Sequence, residues 1–76
     1  SNITLIDSKT KLQEFSLKKF KVLPKYIFSK KTGPQHRPMF KTEVQIPNSK
    51  KIIGTGSSKK NAQQDAAYKL LKLLDI

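Results

Sequence analysis

The chain lacks several things, and each shortage narrows what it can be. It contains no cysteine, so neither a disulfide framework nor a thiolate zinc site is available. It has one histidine, His36, and five carboxylates, Asp7, Glu14, Glu43, Asp65 and Asp75, dispersed over 76 residues. A metal site would need those few, scattered acids to converge, and no nucleophile–base pair stands out. There is no glycine-rich, phosphate-cradling loop of the nucleotide-hydrolase type. No apolar run approaches the roughly 18–20 residues of a membrane span, and no signal peptide is visible. Catalysis by this chain is therefore not expected, and no cofactor, metal or membrane partner is implied. The expectation is a soluble, cytoplasmic module of one small domain, with an adequate but not generous core. The opening Ser1-Asn2 in place of Met points to a piece of a longer protein.

What the chain has in excess is positive charge: 16 Lys and Arg against 5 Asp and Glu, for a formal net charge of +11 at pH 7. Such a balance is an argument about partners, and nucleic acid, an acidic membrane surface and an acidic protein all suit it. The best-defined local feature is Ser57-Ser58-Lys59-Lys60-Asn61-Ala62-Gln63-Gln64-Asp65-Ala66-Ala67. The serines offer an N-cap, the lysines follow at once, and alanines recur at helical spacing behind them. A helix starting this way points its positive dipole end, free backbone N–H groups and two ammonium groups in one direction, which is a phosphate-binding arrangement. Adjacent lysines at a helix N-terminus oppose the macrodipole, so a chain that keeps them is more plausibly using them than merely solvating them.

Along the chain, Ser1–Ile6 reads as a lead-in, with Ile3, Leu5 and Ile6 able to pack against the rest of the domain. Asp7 or Ser8 can cap a first helix running to Lys19 or Phe20, burying Leu12, Phe15 and Phe20 and leaving Lys9, Gln13, Lys18 and Lys19 in water. Tyr26 and Phe28 alternate with Lys25, Ile27 and Ser29, a first strand. Ser29 to Pro38 reads as a loop broken by Gly33, Pro34 and Pro38. Phe40, Thr42, Val44 and Ile46 then fall on one face, with Lys41, Glu43 and Gln45 on the other, and Pro47-Asn48-Ser49 is a turn signal. Lys51 to Gly56 makes a short third strand. The last helix is predicted to bury Ala62, Ala66, Leu70 and Leu74, with Ala67, Leu71 and Leu73 at its margins. The aromatics Phe15, Tyr26, Phe28 and Phe40 are read as core. The order predicts an α+β domain, α-β-β-β-α, with a three-stranded antiparallel sheet and two helices packed on one face.

With that order in place, the chain resembles the double-stranded RNA-binding domain family. Lys11-Leu12-Gln13-Glu14-Phe15 in the first helix, Gly33-Pro34-Gln35-His36 in the loop and Gly54-Thr55-Gly56-Ser57-Ser58-Lys59-Lys60-Asn61-Ala62 at the last helix carry the resemblance. It covers nearly the whole chain and implies that 7–76 is such a domain. Asp7-Ser8-Lys9-Thr10-Lys11-Leu12-Gln13-Glu14 is further similar to the opening of the C-terminal domain of ribonuclease III enzymes. That likeness implies a ribonuclease III-type endoribonuclease as parent, with this domain holding duplex RNA for a separate catalytic domain. The isolated domain is then expected to be a monomer and its parent a homodimer.

The resemblance implies three contacts with double-stranded RNA, matching shape-based recognition of two minor grooves and the phosphates between them. Ser58, Lys59 and Lys60 would take the phosphates. Thr10, Gln13 and Glu14 would face one minor groove, where 2′-hydroxyls and guanine amino groups suit an amide and a carboxylate. Pro34, Gln35, His36 and Arg37 would enter the second, with Lys30 and Lys31 beside them. Three departures from the family pattern predict weaker affinity: Gln63 where many members place a third lysine, Leu17 where a polar contact is frequent, and Ser57 in place of a basic residue or glycine. The competing reading is a protein–protein or dimerisation module of the same fold, with weak nonspecific RNA binding.

Overall fold

The computed structural model describes residues 8–75, so the lead-in Ser1–Ile6 and the candidate cap Asp7 lie outside the described residues. The elements in chain order are α1 (Ser8–Phe20), β1 (Lys25–Thr32), β2 (Met39–Gln45), β3 (Ile52–Gly56) and α2 (Lys59–Leu74). The strands form one antiparallel sheet in the order β1-β2-β3.

The sheet is organised by the alternation in β2. Thr42 and Val44, with Ile46 just beyond the strand, are buried on the face that meets the helices. The register lines up Tyr26, Val44 and Ile52 in one row and Phe28, Thr42 and Gly54 in the next. The turn into β3 uses Asn48 in the left-handed region (φ 63°). Ser49 tightens it, its hydroxyl donating to the Ile46 carbonyl at 3.0 Å.

α2 lies across β2 and β3, and α1 lies beside α2. The buried side of α1 is Ser8, Leu12 and Ser16 at i, i+4, i+8, and Leu12 enters the same core as Val44, Ile46, Ala66, Ala67, Leu70 and Leu71. Small side chains on α2 bring its backbone down onto β3. A Cβ built on Gly54 would run into Ala62 O and Ala66 N.

The structure corrects several expectations from the sequence. β1 continues through Ser29–Thr32, because Lys30, Lys31 and Thr32 pair with Lys41, Phe40 and Met39; the loop is only 33–38. β3 begins at Ile52, one residue later than expected. Phe28 is not core: it is 45% exposed, on the helix side of the sheet but at its rim beside the start of α2. The alternation from Tyr26 holds, but β1 is an edge strand and α2 lies across β2 and β3, so Phe28 is only partly covered. On α2, Ala67 and Leu71 are buried while Leu74 is half-buried, since α1 covers a second flank of the helix. Lys9 is half-buried against α2 and Tyr26, not left in water.

Tyr26 supplies a pH-dependent prediction. Burial pushes its phenol up from 10.0 to about 12. The folded state thus favours the neutral phenol, and the stability it contributes is complete below pH 10 and is lost as pH rises through about 12. The Tyr26 contribution to phenolate absorbance should therefore develop near pH 12 in the folded protein and vanish in Tyr26→Phe. Tyr26→Phe should also retain more of its neutral-pH stability in that window. A Tyr26 component titrating near 10 would contradict this.

Candidate nucleic-acid interface

The start of α2 is built as the sequence implies. Ser58 is the N-cap in extended conformation (φ −149°, ψ 166°), and its side chain accepts from the Asn61 amide at 3.1 Å. Its carbonyl accepts the Ala62 amide at 2.9 Å. Asn61 Nδ2 donates to Ser57 Oγ at 3.1 Å, which ties the loop to the first turn. The Lys59 and Lys60 amides precede the first intrahelical donor, the Ala62 N–H, and no acidic residue stands in this turn. Both lysine side chains are exposed. Amide dipoles and ammonium groups thus converge on one patch with no carboxylate of that turn to neutralise them.

Lys59 is also held from below. Its Nζ lies 4.7 Å from the Phe28 ring centroid, Phe28 sits 6.2 Å from Phe40, and Lys31 Nζ lies 5.7 Å over Phe40. Phe28, expected in the core, thus belongs to an aromatic pair capped by two lysines.

The 33–38 loop projects from the same end of the sheet. At its base Thr32 pairs with Met39, next to the Phe40–Gly56 pair that leads into Ser57. The Arg37 amide donates to the Pro34 carbonyl at 2.9 Å, so Pro34, Gln35, His36 and Arg37 form one tight turn, all exposed, with Gln35 and His36 at its tip. Gly33 has φ 88°, and a Cβ there would stand 2.7 Å from the Arg37 carbonyl oxygen. Only glycine fits that position without strain.

On α1, Thr10, Gln13 and Glu14 are exposed at i, i+3, i+4 and form one stripe, which the exposed Leu17 continues. This stripe is tied to α2 by paired glutamines. Gln64 Oε1 accepts the Lys9 backbone amide at 3.1 Å, and Gln63 Oε1 accepts Lys9 Nζ at 2.7 Å. The first turns of α2 are therefore joined to α1 through Lys9 and stand at the same end of the sheet as the 33–38 loop.

The sequence model of the family described as the double-stranded RNA binding motif matches residues 8–74. The chain belongs to this family. A protein named Ribonuclease 3 from Pelagibacter ubique is 57% identical over 67 residues, covering 88% of this chain and 30% of that protein. A second, from Anaplasma marginale, is 46% identical over 66 residues, covering 87% of the chain and 28% of the relative. The chain thus spans less than a third of the length of these curated relatives. Among solved structures, the solution structure of DRB4 dsRBD2 aligns with a TM-score of 0.62 and 30% identity, covering 88% of this chain and 93% of that one. The α-β-β-β-α architecture is that of a double-stranded RNA-binding domain.

Within this double-stranded RNA-binding domain, sequence reasoning misses the contacts that cross between elements. Asp65 accepts the Thr55 backbone amide at 2.8 Å and pairs with Lys69 at 2.9 Å, so α2 is fastened to the edge strand by a carboxylate. Neither that bond nor the Gln63–Lys9 contact has a local signature, being separated by 10 and 54 positions. The Lys59–Phe28 contact has one signal, an aromatic at the rim of a basic sheet, but strand alternation alone puts that aromatic in the core. Among the described residues no three His, Cys, Asp or Glu side chains group as a metal site, and no helix is long and apolar enough to cross a membrane.

Proposed function

We propose that this domain binds double-stranded RNA by its A-form shape, with little regard to sequence. In this reading Thr10, Gln13 and Glu14 address one minor groove, the Pro34–Arg37 turn addresses the next, and Ser58, Lys59 and Lys60 hold the phosphates between them. Such modules span about 16 base pairs in this way. The observation that carries the reading is the α2 N-terminus, capped by Ser58, with two exposed lysines and no acid in its first turn, joined to α1 and set at the loop end of the sheet. Phosphate contacts position a protein without reading bases, and the narrow A-form major groove conceals base edges from side chains.

The likeness to proteins named Ribonuclease 3, of which this chain spans under a third, supports a parent of that type. There the domain would present duplex RNA to a separate catalytic domain in a homodimeric endoribonuclease.

The test is a titration against matched RNA–RNA, RNA–DNA and DNA–DNA duplexes of about 20 base pairs, longer than the ~16 the module spans, at two salt concentrations. Tightest binding to RNA–RNA is expected. With about three to six phosphates neutralised, the log–log salt slope should have a magnitude of roughly 3 to 5. Equal, weak binding to all three duplexes would leave the charge as a nonspecific attractant and remove the proposal.

A further inference from the structure

Gln63 shares the helix surface of Lys59 and Lys60 but carries no charge of its own. It lies four residues after Lys59 and three after Lys60, so the three side chains are neighbours on one helix surface. Its amide oxygen holds the ammonium of Lys9, from the other helix, at 2.7 Å. The same ammonium lies 5.2 Å from the Tyr26 ring centroid, and the Lys9 backbone is pinned by Gln64. We propose that Lys9 is a third phosphate-binding cation of the interface, delivered to the α2 stripe by Gln63 from α1. The proposal rests on the RNA-binding reading above.

The chemistry of the partners supports this role. An amide oxygen and an aromatic face orient an ammonium group without cancelling its charge, whereas a carboxylate would neutralise it. The one ion pair among the described residues is Lys69–Asp65, on α2 itself. An ammonium has three N–H donors, and one to Gln63 leaves others for phosphate oxygens. Lys9 is half-buried, so its stem is already ordered, and less freedom is lost when phosphate arrives. A third cation thereby reaches the α2 stripe from another element, which a reading of α2 alone does not reveal.

The test uses the salt dependence of binding to the 20-base-pair RNA duplex, because a purely structural role would not change it. Lys9→Gln should lower affinity by about tenfold and reduce the magnitude of the salt slope by about one. Adding Gln63→Lys to Lys9→Gln moves the cation from α1 to α2 and should restore both. A Lys9→Gln protein with the wild-type slope would overturn the assignment. So would a loss of affinity that Gln63→Lys does not repair. Should Lys9→Gln melt early, the unaltered protein decides: the Lys9 side-chain ammonium resonance must shift with those of Lys59 and Lys60 when duplex is added, and an unshifted Lys9 overturns the proposal. A wild-type slope near zero is a separate outcome, removing the RNA-binding reading and this inference with it.

Discussion

Replacing Lys59 and Lys60 together by alanine is expected to lower affinity for duplex RNA by two orders of magnitude or more while leaving the melting temperature nearly unchanged. Hydrogen bonds to charged groups contribute about 1.5–3 kcal/mol each, so losing two amounts to about 3 kcal/mol or more, over 100-fold. The salt slope should fall by about two in magnitude, since two phosphates are no longer neutralised. Stability responds differently because two effects oppose. Removing cations from the positive end of the α2 dipole relieves about 0.3–1 kcal/mol each. Losing the Lys59 contact with the Phe28 ring forfeits about 0.5–1 kcal/mol at an exposed site. Ser58 and Asn61 keep the cap intact throughout. Isothermal titration beside a thermal melt separates the outcomes. A folded double variant that binds as the parent does would show that the phosphate anchor lies elsewhere.

How far the sequence reveals this interface depends on how local each determinant is. β2 is legible because period-two alternation through Thr42 and Val44 is a property of the strand itself, once one face is buried. The α2 N-terminus is legible because a cap is a bond between residues three apart, Ser58 and Asn61. The end of β1 is not, since Lys30, Lys31 and Thr32 look like loop until the ladder to Met39, Phe40 and Lys41 gives their backbone groups partners. Phe28 is misplaced for a related reason. Its side of the strand is local, but how far α2 reaches over the edge strand is not, and its ring ends under Lys59 instead of inside the core. Ala67 and Leu71 fall at the margin of α2 in the sequence because a single helix has one apolar stripe. Only the packing of α1 makes a second flank worth burying. The pairing of Lys9 with Gln63 belongs to this last class, for it exists only once two distant helices are laid side by side.

That arrangement depends on one glycine, and Gly54→Ala is expected to be the most damaging single methyl in the protein. Gly54 is buried in β3, opposite Thr42, directly beneath the middle of the α2 contact. An added Cβ would collide with Ala62 O and Ala66 N and stand 2.6 Å from Ala66 Cα. Every obstacle is backbone of one helix, so no rotamer change relieves it, and α2 must lift as a unit. Overpacking of this kind costs about 1–3 kcal/mol where side chains can move, and the rigid target places Gly54→Ala at the top of that range or above it. Total stability of about 4–11 kcal/mol is expected from the per-residue range for 76 residues. A loss of about 3 kcal/mol should lower the melting temperature by roughly 12–24 °C at this size. Lifting α2 also strains the Thr55–Asp65 bond, which fastens the same helix to the strand edge. RNA binding should therefore fall even in the fraction that stays folded, because Lys59 and Lys60 would no longer stand in register with the 33–38 loop and the Thr10–Gln13–Glu14 stripe. Thermal melting of Gly54→Ala checks the first part, and a melting point within a few degrees of the parent would mean that α2 is not seated on β3 by backbone contact.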